Sequence, residues 1–244
     1  MASFRNPSFG RMVDAALKQT AAALRDAEIP FCLVGSLAVW ARGGPESSHD
    51  LDFGVRESDL VACAEALESV GMRIEIPPED WLVKAWLGEP GGTESVLVDL
   101  IYGASGLEIT DEVLERADML DVLAHRMPVM TATDILCTKL LSLREQHLDY
   151  TATIATARAV REQVDWDDVR ARVERSPYAR AFFTMAEGLG ICPAPDGTTV
   201  ETPVETLASL RSIHEPRERV HRRELAEWLA QRHEGDAAPI AATS

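Results

Sequence analysis

The chain has 244 residues, of which 46% are hydrophobic and 6% aromatic, a composition that excludes a disordered protein and suits one large domain or two small ones. Forty Asp and Glu against 24 Lys and Arg give a formal charge of −16. Residues 1–130 hold 22 of the acids and only 10 of the bases, which excludes a broad phosphate-binding footprint there and is compatible with a site that gathers divalent cations, solubility being the other account.

In chain order, Met12, Ala16, Leu17, Ala23 and Leu24 recur at helical spacing and predict an amphipathic helix over 8–27. Pro30 forces a new start, and Phe31–Val34 reads as a short buried strand. Gly35-Ser36 breaks it, and Leu37–Arg42 reads as a short helix that Gly43-Gly44-Pro45 ends. A second strand is predicted at Asp50–Val55, then a helix over Glu57–Val70 stopped by Gly71. Met72–Ile76 reads as a strand ended by Pro77-Pro78, residues 81–87 are ambiguous, and Ser95–Tyr102 is a strong strand. Alternating strands and helices imply an α/β or α+β domain.

The character changes at Thr131, which with Asp134 forms a helix start signal. Four helical stretches follow, near 133–147, 150–163, 166–175 and 178–188. Residues 217–233 read as a last charged helix, and the tail from Gly235 as disordered. The expected division is 1–128, a helical domain at 129–234, and a tail at 235–244. Cys32, Cys63, Cys137 and Cys192 stand in apolar settings with no C-x-x-C pair, which argues for reduced structural thiols and against zinc. No apolar run reaches membrane-spanning length and no targeting segment opens the chain, so a cytoplasmic protein is expected.

The chemistry centres on Asp50-Leu51-Asp52. Side chains at i and i+2 leave a strand on one face, so two carboxylates point the same way. Divalent ions with hard oxygen ligands relieve their repulsion and suit phosphoryl transfer. Solvated strand-end acids are the alternative. Upstream, Gly35-Ser36 between a strand and a helix start offers backbone N–H groups, and Ser36 a hydroxyl, to a phosphate; an ordinary turn is the alternative. Asp99 stands inside the apolar strand Val96–Ile101, where a charge needs a metal or an ion-pair partner. Lys139 borders the apolar stripe of its helix, either as a cation for the triphosphate or as a snorkelling stem. Asp149 opens the next helix, where an acid is often a cap.

Gly35-Ser36, the short helix, Ser48-His49-Asp50-Leu51-Asp52 and the later Asp99 resemble the DNA polymerase β-type nucleotidyltransferase superfamily, and within it the AbiEii and MenT-type nucleotidyltransferase toxins. In those toxins a Lys and a later Asp from the helical half join the site, and Lys139 and Asp149 stand at matching places. Ser48 stands where Thr is common. The resemblance covers roughly 30–175 and implies an α+β fold, a mixed-sheet nucleotidyltransferase domain flanked by helices and followed by a helical domain. It implies Mg²⁺ or Mn²⁺ on Asp50, Asp52 and Asp99, with Asp99 also as the base. A nucleoside triphosphate such as ATP would lie against Gly35, Ser36, Ser48 and Lys139, and Asp149 would join the catalytic set. It further implies a tRNA acceptor and a cognate antitoxin. Arg158, Arg161, Arg170, Arg172, Arg175 and Arg180 either meet RNA phosphate or form solvated helix faces. Two other functions fit the same acids: transfer to a small antibiotic-type molecule, and a nucleotide-binding module without turnover.

Overall fold

A seven-stranded mixed sheet organises the first part of the chain, in the order β3-β4-β5-β2-β1-β9-β8. Its strands are β1 (Cys32–Leu33), β2 (Leu51–Gly54), β3 (Arg73–Glu75), β4 (Leu82–Leu87), β5 (Val96–Ile101), β8 (Asp118–Val122) and β9 (His125–Val129). A separate two-stranded ribbon pairs β6 (Gly103–Ala104) with β7 (Leu107–Glu108). The helices are α1 (Pro7–Asp26), α2 (Gly35–Ala41), α3 (Leu60–Ser69), α4 (Asp111–Glu115), α5 (Ala132–Ser142), α6 (Tyr150–Val160), α7 (Trp166–Val173) and α8 (Pro177–Gly188). The computed structural model describes residues 7–45, 51–92, 95–104 and 107–195. All lie in one compact unit, Met1–Thr199. The predicted helix at 217–233, the tail from Gly235, and Ser48 and Asp50 lie outside the described residues.

The fold is α+β, a mixed sheet with helices, as the resemblance implies. In β5 burial alternates: Val96, Val98 and Leu100 are buried, while Leu97, Asp99 and Ile101 are only half-buried. One face therefore carries the core, and α1 packs on β5 there while α3 packs on β3 and β4. Leu17, Leu24, Phe53, Leu67, Val98 and Leu100 fill it, each worth about 1.5–3 kcal/mol of burial. A second cluster joins α5 to α7 and α8 through Leu136, Leu140, Trp166, Phe182 and Phe183. Helix α5 serves both, since its Ile135 belongs to the first cluster and Leu136 to the second.

The ambiguous stretch 81–87 is strand β4, paired antiparallel to β5 along its whole length. The β8–β9 hairpin and α4 were not legible in the sequence. The hairpin turns at Leu123 and Ala124, both at positive φ (47° and 65°). Gly or Asn usually marks such a turn, and neither is present. No described helix is long and apolar enough to cross a membrane.

Polar side chains join the two halves. Arg42, buried at the end of α2, donates from Nε to Met130 O (2.7 Å) and from Nη2 to Val129 O (3.0 Å) and Asp118 (2.7 Å). Gln163 returns a bond from Nε2 to Arg42 O at 2.9 Å. Asp134, at 0% exposure, receives Arg116 at 2.9 Å and Arg172 at 2.8 Å. Its backbone N–H donates to Thr131 Oγ1, which donates in turn to Asp134 Oδ2 at 2.7 Å. The Thr131 start signal is thus a real cap, and its acid is also the hub of a buried ion cluster. Burial alone would push the Asp134 carboxyl up, but the bonds from Thr131, Arg116 and Arg172 hold it below its ordinary value.

Candidate active site

The residues of β1 and β2 set the centre of the site. β1 runs straight into α2 at Gly35, whose φ of +64° lies in the left-handed region. A Cβ there would stand 2.9 Å from Asp52 Cβ and closer still to its carboxylate. Glycine is required twice over, by the backbone and by the acid packed against it. Ser36 follows in the first turn of α2. Gly35→Ala is expected to cost about 2–5 kcal/mol, from left-handed strain plus the clash. It should also displace the Asp52 carboxylate. A thermal melt of the variant checks this, and a wild-type melting temperature would contradict the close contact.

Strand β2 pairs parallel with β5 in a register that sets Asp52 opposite Asp99. Neighbouring strands lie about 4.8 Å apart, so the two carboxylates leave the sheet side by side. Both project from the half-buried face, away from Leu51, Phe53, Val98 and Leu100. The sequence pairs Asp52 with Asp50, which lies outside the described residues; the sheet pairs Asp52 with Asp99 across strands.

Lys139 on α5 is half-buried and lies within the electrostatic reach of Asp149 and Asp52. Burial pushes its ammonium below the ordinary value, and those two acids oppose the shift. Asp149 is the N-cap of α6, accepting from Ala152 N at 3.0 Å, so the capping role is real and its charge also faces Lys139. A cavity of about 190 Å³ opens beside Gly35 and Lys139, walled by Val34, Ile101, Met130 and Ile135. Among the described residues no group of three His, Cys, Asp or Glu could hold a metal. The in-register pair Asp52 and Asp99 is a hard oxygen donor set that suits Mg²⁺, and Asp50 lies outside the described residues.

Other sequence candidates are elsewhere. Arg170 is clamped by Glu187 at 2.9 Å and lies 4.1 Å over the Phe183 ring. Arg172 serves Asp134, and Arg180 bonds Glu174 O. Their internal partners account for these three, while Arg158 and Arg175 are exposed. All four cysteines are buried and free. Burial pushes the Cys32, Cys63 and Cys137 thiols up to about 12 and Cys192 to about 11, so none is poised as a nucleophile. Sequence reasoning missed Lys84, which the β4–β5 register sets opposite Asp99.

Residues 14–184 match the model of a nucleotidyl transferase family of unknown function, DUF2204. This chain belongs to that family. It is a nucleotidyltransferase, and the matched residues contain β2, β5 and α5, the elements that carry Asp52, Asp99 and Lys139. Among solved structures, this DUF2204 chain is similar to ANT(2")-Ia in complex with adenylyl-2"-tobramycin, at 14% identity and a TM-score of 0.48, over 70% of this chain and 97% of that one. It is also similar to the lincosamide antibiotic adenylyltransferase LnuA, lincomycin-bound, at 11% identity and a TM-score of 0.38, over 70% of this chain and 99% of that one. No curated protein matches the chain.

Proposed function

We propose that this nucleotidyltransferase moves a nucleoside monophosphate from a nucleoside triphosphate to a hydroxyl acceptor, with Asp52 and Asp99 at the reacting phosphorus. The observation that carries this reading is the in-register carboxylate pair, whose Asp52 packs against Gly35 and lies within electrostatic reach of Lys139. Asp52 and Asp99, with Asp50, would hold Mg²⁺ or Mn²⁺. Bound there, a divalent cation supplies charge neutralisation at the phosphoryl oxygens.

The protein's own groups do the rest by binding and alignment, since phosphoryl transfer asks for little covalent chemistry from the enzyme. Gly35 and Ser36 present first-turn amides to the β,γ-phosphates. Lys139 neutralises charge on the departing pyrophosphate; burial pushes its ammonium below the ordinary value, and Asp149 opposes that shift. Asp99 takes the proton of the acceptor hydroxyl as the new O–P bond forms and the bond to pyrophosphate breaks. The resemblance to the AbiEii and MenT-type toxins supports the end of a tRNA as acceptor and a cognate antitoxin as partner.

Lys139→Ala tests the reading. A charge-assisted bond is worth about 1.5–3 kcal/mol, so ATP binding with Mg²⁺ should weaken roughly 10–100-fold. The free protein should melt no lower, because alanine is a good helix former and a partly buried charge is removed. The measurement is the rise in melting temperature with Mg²⁺ and ATP together, over either alone. An undiminished rise in the variant would remove Lys139 from the triphosphate site.

A further inference from the structure

The cavity of about 190 Å³ beside Gly35 has apolar walls and one polar edge. Ile101, Leu107, Ile109 and Ile135 supply wall, and the edge is Thr138, Lys139 and Ser142, all on α5. Thr138 and Ser142 stand one helical turn apart, with Cβ atoms about 5–6 Å from each other. Both hydroxyls have committed their protons to the helix. Thr138 Oγ1 donates to Asp134 O at 3.0 Å, and Ser142 Oγ donates to Lys139 O at 2.8 Å. A hydroxyl has one proton and two lone pairs, so only lone pairs remain for the cavity. The edge therefore offers a pair of hydrogen-bond acceptors. The Lys139 ammonium beside them lies within reach of Asp52 and Asp149.

An occupant of such a cavity needs apolar faces and a donor at its rim. Pockets for drug-sized ligands run to about 300–1,000 Å³, so a cavity of about 190 Å³ takes a single ring system. Gly35 and Lys139, assigned above to the triphosphate, also line it, which sets it against the nucleotide. In-line displacement brings the acceptor in opposite the departing pyrophosphate, away from Gly35 and Lys139. The flat apolar group that remains is the nucleotide's own base. We infer that the cavity takes the base of the nucleoside triphosphate, and that Thr138 and Ser142 select a base with an exocyclic amino group over one that has carbonyls alone. Cytosine, adenine and guanine carry that amino group, and uracil and hypoxanthine do not. This inference rests on the reading of the site proposed above. The two N–H bonds of one amino nitrogen diverge by about 120°, so acceptors at ordinary hydrogen-bond length from it stand about 5 Å apart. One helical turn supplies that spacing. A carbonyl in the same place meets lone pairs, and a hydroxyl can turn its proton toward it only by leaving a helix carbonyl unpaired.

The test reads the affinity of the full chain for triphosphates with Mg²⁺ by calorimetry, so no acceptor is required. CTP is compared with UTP, and ATP and GTP with ITP; the pair that shows a preference identifies the base. At least one aminated triphosphate should bind roughly tenfold or more tightly than its counterpart, because a site built around a hydrogen bond rejects the analogue that cannot make it. Thr138→Val combined with Ser142→Ala should bring that ratio to within about twofold, while Thr138→Ser, which keeps the acceptor, should retain it. A purely structural role would lower the melting temperature and leave the ratio unchanged. An unchanged ratio in the combined variant overturns the inference. So does UTP or ITP binding the wild type as tightly as every aminated counterpart, a comparison that needs no variant to fold. Absence of Mg²⁺-dependent binding of any triphosphate by the wild type overturns the underlying reading and this inference with it.

Discussion

Asp52→Asn is expected to lower nucleotidyl transfer by at least about a hundredfold, since changes one layer out from a metal already cost up to that much. Its fold should survive. Asn keeps the shape that packs against Gly35, so the close contact there is unchanged. Two electrostatic effects oppose one another: repulsion from Asp99 on the neighbouring strand is relieved, and attraction to Lys139 is lost. The melting temperature should move by no more than about 2–4 °C, the shift that 1 kcal/mol produces in a chain of this size. Steady-state transfer and a thermal melt of the same preparation check both halves. A variant that transfers at the wild-type rate would remove Asp52 from the chemistry.

The largest effect on stability is expected at Asp134. Asp134→Ala takes a fully buried carboxylate from Arg116 and Arg172 and leaves the Thr131 hydroxyl without its acceptor. Removing one partner of a buried pair costs about 3–5 kcal/mol. Arg116 and Arg172 retain 47% and 25% side-chain exposure and can partly rehydrate, so the lower end, about 3 kcal/mol, is expected. The pH dependence has a definite sign. The folded carboxyl sits below its ordinary value of 3.8, so the unfolded chain binds this proton more tightly. Its stabilisation is fully present above 3.8 and is lost as pH falls through the lower folded value. Denaturant melts of wild type and Asp134→Asn should converge in acid and separate at neutral pH. A constant gap across that range would contradict the ion-cluster account.

What was legible in the sequence was local. The Gly35-Ser36 turn and the Thr131 cap depend on neighbours a few residues away, and backbone geometry alone links them to structure. What was not legible depends on register or on distant partners. Lys84 gains its meaning only when β4 aligns with β5, and its strand shows neither a clean two-residue nor a helical period. Asp134 reads as a cap residue because Arg116 and Arg172 are 18 and 38 positions away. The β8–β9 hairpin escaped because its turn uses Leu123 and Ala124, and because Pro128 argues against a strand inside a sheet. That proline is tolerated where β9 meets β1 at a single register pair, Leu33 with Val129.

The most direct measurement follows the label. Wild-type protein and Asp52→Asn are incubated with Mg²⁺, total cellular RNA and ATP labelled at either the α- or the γ-phosphorus, then with the other triphosphates in turn. The expected result is α-label joined to an acceptor by the wild type, γ-label released as pyrophosphate, and neither product from Asp52→Asn. Transfer of the γ-label to an acceptor, or α-label transfer by Asp52→Asn at the wild-type rate, would contradict nucleotidyl transfer at the Asp52–Asp99 pair.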